Sequence, residues 1–317
     1  MTATVSIPLS STEGTMTLPF ETLLLAPGAA PFAADPSMLG IEVTDPRLAA
    51  ACGLGNVDPQ HVPGADPKAP AAIEACLDLV VAPQLRRLAT IRPDIDALGA
   101  MAILCGRAAG QTITDDVRAR VKRIAAVDRF DRGPWPGAHR LPRVVADLAQ
   151  AWPGADLSAL AACVADSGLA VAARVHRVLD WLWTGASPDD HLQMVAARHS
   201  SIVTSLRYGA TTIRPVLDGR AACVVSMEPG ALGLGYLLAP VVVALNPDFR
   251  FSDGIRGRKY TLARWAEGDA DLNAVVSAIA RVEPGWGGQI GIKGSPLAGP
   301  SQLGLGRVID LLRSGLI

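Results

Sequence analysis

The stretch Leu85-Arg86-Arg87-Leu88-Ala89-Thr90-Ile91-Arg92-Pro93-Asp94-Ile95-Asp96-Ala97-Leu98-Gly99-Ala100-Met101 changes character at its middle. Leu85 to Ile91 reads as a strand, Pro93 and two carboxylates make an acidic turn, and from Ile95 the apolar residues Ala97, Leu98, Met101, Ala102 and Leu104 fall at helical spacing. Strand, turn and helix in that order point to an α/β fold. Gly99 is placed to let the helix pack closely on a sheet.

Working outward, Phe20 to Leu25 and Leu39 to Val43 are short apolar runs bounded by Pro, Gly and Asp, the pattern of buried strands. Ala69 to Val81 has helical spacing, and Thr114 caps a further helix with Asp115 and Asp116 in its first turn. Pro142 to Tyr208 carries only helical signals. Strand patterns return at Ala221 to Met227, Pro240 to Leu245 and Lys259 to Trp265. A helix over Ala270 to Val282, a Gly-rich turn, a strand over Gln289 to Lys293 and a helix near Gly304 to Ser314 complete the chain. The reading is an N-terminal α/β domain over 1–140 with a candidate metal site, a helical connector over 141–205, and a smaller C-terminal α/β substrate-binding domain over 206–317.

The 317 residues are 50% hydrophobic and 19% charged, which excludes a disordered chain. Lys and Arg total 29 against 30 Asp and Glu, a balance that argues against long nucleic acid or a membrane surface as partner. Five widely spaced cysteines in apolar contexts argue against a disulfide framework. No secretory signal precedes the first strand, and the longest apolar run, Ala231 to Leu245, is interrupted by Pro240 and falls short of the ~20 residues of a membrane span. A soluble cytoplasmic protein is expected. A homodimer stays open, because nothing in the sequence fixes the oligomeric state.

Three segments carry chemistry. Asp94 and Asp96, at the carboxyl end of a strand, can hold a hard divalent cation, or can serve only as helix caps. Asp58 and His61, in Gly55-Asn56-Val57-Asp58-Pro59-Gln60-His61, can supply a carboxylate and an imidazole to a metal, or form a surface turn in which Asp58 bonds its own backbone. Gly287, Gly288 and Ser295 can cradle a phosphate through backbone N–H groups and a hydroxyl, with Lys259 or Arg258 as charge partner, or make an ordinary tight turn beside a solvated basic patch. His139, His176, His191 and His199 have no partner at metal-ligand spacing closer than eight residues and read as surface or core residues, His199 alone being kept as a candidate substrate contact.

In their order and separation these segments resemble the DHH family of metal-dependent phosphoesterases. Arg92-Pro93-Asp94-Ile95-Asp96-Ala97-Leu98-Gly99 resembles the family's first metal motif. Asn246-Pro247 through Lys259-Tyr260-Thr261 to Gly287-Gly288 and Gly294-Ser295-Pro296 resembles its associated C-terminal domain, so that the likeness covers roughly 85–110 and 206–317. It implies Mn²⁺ or Mg²⁺ in the N-terminal domain, a Gly-Gly substrate loop in the C-terminal one, and hydrolysis between the two of a small nucleotide, short oligonucleotide or related phosphate ester. Asp94, Asp96, Asp58, His61 and Asp128 would then be metal ligands, with Asp94, Asp96 and His61 catalytic, and Gly287, Gly288, Ser295, Lys259 and Arg258 would bind substrate.

Two departures stand out. Thr90 occupies the place of the family's first histidine, and no Asp-His-His follows Asp96. Val127-Asp128-Arg129-Phe130-Asp131-Arg132-Gly133 looks like the later metal region, while Asp58 with His61, and Asp45 at the end of an earlier apolar run, lie upstream as substitutes in a permuted order. The alternatives are a catalytically inactive DHH-like protein that binds a phosphorylated small molecule, and an enzyme of another reaction class using the same crevice.

Overall fold

The computed structural model describes residues 18–26, 33–61, 69–128, 155–265, 270–289 and 291–316. The described residues form a mixed α/β structure with two sheets. Its described residues fall into two compact units, the first running to Asp128 and from Asp156 to Leu192, the second starting at Gln193.

The first unit contains β1 (Glu21–Leu24), β2 (Met38–Ile41), α1 (Pro46–Ala51), β3 (Asn56–Val57), α2 (Ala72–Ala75), β4 (Arg87–Thr90), α3 (Ile95–Ala108), α4 (Asp115–Asp128), α5 (Ala155–Ala165) and α6 (Val171–Thr184). The strand order is β1-β4-β2-β3 and every pairing is parallel. Parallel strands end on one edge of their sheet. Glu42 after β2, Asp58 after β3 and the turn from Ile91 to Asp94 after β4 are therefore delivered to the same edge.

The deciding strand and helix are β4 and α3. Asp94 caps α3 by accepting the Ala97 N–H at 3.1 Å, and Ile95 through Gly106 are all buried. Ile41, Ile73, Leu88, Leu98, Met101, Ile103, Ile124 and Leu179 share one apolar core around it. Gly99 serves a different neighbour from the expected sheet. A Cβ there would lie 2.6 Å from Ile73 Cδ1, so the glycine admits the side chain of α2. Two turns of α3 further on, a Cβ at Gly106 would overlap the indole of Trp183 on α6.

The helix expected over Ala69 to Val81 is only the single turn α2. Its N-terminus is held by the Asp96 carboxylate, which accepts the N–H groups of Ala72 at 2.7 Å and Ile73 at 3.0 Å. Beyond Cys76 the Arg107 guanidinium takes the carbonyls of Cys76 and Leu79, and these tertiary bonds replace the helical ones that local spacing favoured.

The second unit comprises α7 (Asp189–Arg207) from Gln193 onward, then β5 (Thr212–Val216), β6 (Ala221–Val225), β7 (Val241–Arg250), β8 (Arg256–Arg264), α8 (Leu272–Ala280), β9 (Ile292–Gly294) and α9 (Leu305–Leu312). The sheet order follows the chain, with β6 and β7 parallel and the other pairs antiparallel. A 3₁₀ helix over Ala231–Leu237 makes the crossover between β6 and β7. Sequence patterning misses β5, an edge strand that tolerates Arg214 and Pro215 because one side needs no ladder bonds. The last strand sits later than the expected 289–293, since Gly287 and Gly294 pair across the turn. Val243, Tyr260, Leu262, Val275, Ile279, Val308 and Leu312 pack between the sheet and its helices. Among the described residues no helix is long and apolar enough to cross a membrane.

Candidate metal centre

At the edge where the parallel strands end, the chain turns sharply after β2. Glu42 has φ 51°, a left-handed conformation that a non-glycine residue adopts at a cost of about 1 kcal/mol. Its N–H still bonds the Val57 carbonyl, and the Asn56 side chain continues the ladder by accepting from the Val43 N–H and donating to the Val43 carbonyl, both at 3.1 Å. This backbone hold turns the Glu42 side chain inward, where it is 3% exposed.

The chain after β3 brings the other partners. Asp58 Oδ1 accepts the His61 N–H at 3.2 Å and lies 2.5 Å from His61 Nδ1. That ring nitrogen is also 3.7 Å from Glu42 Oε1. One ligand atom from each of Glu42, Asp58 and His61 lies within 4.8 Å of the others, an arrangement that fits a cation. Glu42 Oε2 is buried with no hydrogen-bond partner, and an orphaned carboxylate oxygen of this kind requires a proton or a cation.

Electrostatics reach further than contact. Burial, and after it the charges of Asp94, Asp96, Asp128 and Asp58, push the Glu42 carboxyl up to about 10. Asp96 is raised as well, by burial first and then by Asp128, against the pull of its bond to Ile73. His61 is raised chiefly by its hydrogen bond to Asp58, with Asp128 adding to the effect and Arg92 opposing it. The charges of Asp58, Asp94, Asp96 and Asp128 thus reach Glu42, and those of Asp58 and Asp128 reach His61.

Their positions differ in kind. Asp58 and His61 belong to the close group. Asp94 keeps Oδ1 on the α3 N-terminus and Oδ2 3.5 Å from Arg92 Nε. Asp96 is fully buried with both oxygens on α2, so it caps a helix, although not the one that its sequence position suggests. Asp128, the last residue of α4, contributes its charge. Asp45 is the cap of α1, accepting the Arg47 N–H at 2.9 Å. Glu42 is the residue that sequence reading passes over. Its signal is a lone carboxylate inside the apolar run Leu39 to Val43. His139 and Asp131 lie outside the described residues.

In the second unit the glycine loop is knitted to itself. Gly287 and Gly294 exchange N–H to carbonyl bonds at 3.1 and 2.7 Å. Buried Ser295 donates its N–H to the Tyr260 carbonyl at 3.1 Å and accepts the Tyr260 N–H on Oγ at 3.0 Å. Lys259 Nζ donates to the carbonyls of Ser295 and Pro296, and Lys293 Nζ to that of Gly288. Burial lowers the pKa of both lysines. Arg258 reaches the Gln302 carbonyl at 3.4 Å. Glu283 ties the turn down by accepting from Trp286 Nε1 at 2.6 Å, Ser301 Oγ at 2.7 Å and Gln302 N at 2.6 Å.

Gly288 has φ 137°, and a Cβ there would lie 2.5 Å from the Ile292 carbonyl oxygen. The tolerance for a β-branched residue that a surface turn suggests is therefore not met. Gly288→Val is expected to cost about 2–4 kcal/mol in urea unfolding.

No protein-family model and no curated protein matches the chain. Among solved structures, the pGpG-specific phosphodiesterase PggH from Vibrio cholerae aligns over 88% of this chain and 99% of its own, at 9% identity and a TM-score of 0.38.

Proposed function

We propose that the first unit binds a divalent cation, Mn²⁺ or Mg²⁺, at Glu42, Asp58 and His61, and that the protein is a metal-dependent phosphoesterase acting on a small nucleotide, short oligonucleotide or related phosphate ester. The observation that carries the reading is the buried, unpartnered Oε2 of Glu42, a carboxylate with one oxygen within 4.8 Å of ligand atoms of Asp58 and His61. Two carboxylates and one imidazole suit a borderline-hard cation such as Mn²⁺. A cation bound there would neutralise phosphoryl charge and acidify water.

The chain's own residues do the rest. Asp58 orients the His61 ring through Nδ1, so that exchange of a proton at that nitrogen is coupled to occupation of the site. Asp94 and Asp128 surround the ligands with negative charge that favours a cation over a neutral site. Asp96 fixes α2 against α3. In the second unit Lys259 and Lys293, bonded to carbonyls beside Gly288 and Ser295, would supply positive charge for a substrate phosphate, with Arg258 close by in sequence.

The test is Mn²⁺ binding by calorimetry together with hydrolysis of a panel of nucleotides and short oligonucleotides. Tight binding with metal-dependent turnover is the expected result. Binding without turnover would move the reading to a non-catalytic phosphate binder, which Thr90 in place of a histidine favours. No binding at saturating Mn²⁺ would remove the metal centre.

A further inference from the structure

We infer that Arg92 is the residue through which the metal centre recognises an anion, and that Thr90 positions it. The inference rests on the metal-centre reading above and adds a specificity residue to it. Thr90 closes β4 and is fully buried. Its Oγ1 accepts the Arg92 N–H at 3.1 Å and donates to the Arg92 carbonyl at 3.2 Å. The same carbonyl takes the Asp94 N–H at 2.8 Å. One hydroxyl and one amide thus lock the backbone of the turn on both sides of Arg92, which fixes the direction in which its side chain leaves the sheet edge.

The guanidinium comes to lie beside Asp94. Its Nε is 3.5 Å from Asp94 Oδ2, and its charge is felt at His61. The contact with Asp94 is long and single, and the side chain remains 62% exposed. Arginine has five N–H donors, so most of the fork is available to a ligand. A planar fork suits two oxygens of a phosphoryl group at once, and a cation placed at the rim of an anionic cluster offsets the repulsion that the acids would exert on such a group.

Inorganic phosphate titrated into the Mn²⁺-loaded protein tests this, with Mn²⁺ alone titrated into the metal-free protein beside it. Arg92→Gln should lower phosphate affinity at least about tenfold while Mn²⁺ affinity stays equal or rises, since a nearby cation has been removed. Arg92→Lys should recover only part of the loss, because an ammonium cannot make the paired contact. Thr90→Val should weaken phosphate binding less than Arg92→Gln does, with Thr90→Ser restoring it. Unchanged phosphate affinity in Arg92→Gln, with Mn²⁺ bound normally, overturns the role of Arg92 and leaves the metal centre standing. Full recovery by Arg92→Lys would reduce the role to charge balance and overturn specific recognition. Wild-type protein that binds no Mn²⁺ brings down the metal centre, and this inference with it.

Discussion

Glu42→Gln is expected to abolish tight Mn²⁺ binding and, in the same molecule, to raise the melting temperature of the metal-free protein. The first effect follows because the variant loses an anionic ligand oxygen. Even outer partners of metal ligands are worth 10–100-fold in affinity, so the loss of a ligand should exceed about 100-fold. The second follows from linkage. The carboxyl has an ordinary value of 4.5 and is pushed to about 10 in the folded protein, so the folded state binds a proton that the unfolded chain releases. Stability from this group is complete below 4.5 and is lost as pH rises toward 10. Near pH 7 the carboxamide escapes that loss, and a gain of about 1–3 kcal/mol is expected. Melting curves between pH 5 and 9 should slope downward for metal-free wild type and flatten for the variant, the pH range bracketing the neutral region where linkage is steepest (about 5 to 9). Added Mn²⁺ should stabilise wild type more as pH rises, because protons compete for the same oxygens. A destabilised Glu42→Gln protein that still binds Mn²⁺ would contradict both halves.

Asp96→Ala should be among the most damaging single changes in the first unit. Its two oxygens satisfy the first N–H groups of α2 inside the core, and removing them orphans two buried donors. Each orphan costs about 1–3 kcal/mol, so a loss of about 2–5 kcal/mol is expected in urea unfolding. Relief of repulsion with Asp128 and Asp94 acts in the opposite direction and keeps the value below the plain sum. Amide exchange should accelerate at Ala72 and Ile73 before the rest of the unit. If stability is unchanged and only Mn²⁺ affinity falls, Asp96 is a ligand and its capping role is secondary.

The α/β class and the strand, turn and helix through Arg87–Ala108 are legible because period and capping agree there: Thr90 ends the strand, Asp94 starts the helix, and every residue from Ile95 to Gly106 is buried. Legibility ends where tertiary bonds decide. Ala69 to Val81 has a helical pattern, but Asp96 and Arg107 reach in from α3 and leave one turn. Asp58 and His61 are readable as a pair, whereas their third partner is hidden, since Glu42 sits among apolar neighbours and joins the candidate site only through its positive φ and the parallel pairing of β2 with β3. Gly288 shows the opposite failure. Glycines in a turn suggest room for a ligand, but the space beside this one is filled by the Ile292 carbonyl.

The contact between Gly106 and Trp183 binds two distant positions into a single heritable trait. A methyl group at 106 would occupy the volume of the indole, whose Nε1 also donates to the Thr112 carbonyl at 3.1 Å. Alanine or a larger residue at 106 requires the half-exposed indole at 183 to shift or to give way to a smaller side chain. The two positions are therefore expected to change together, and a Gly106→Ala protein should regain stability when Trp183→Leu is added, a coupling independent of any residue near the acids.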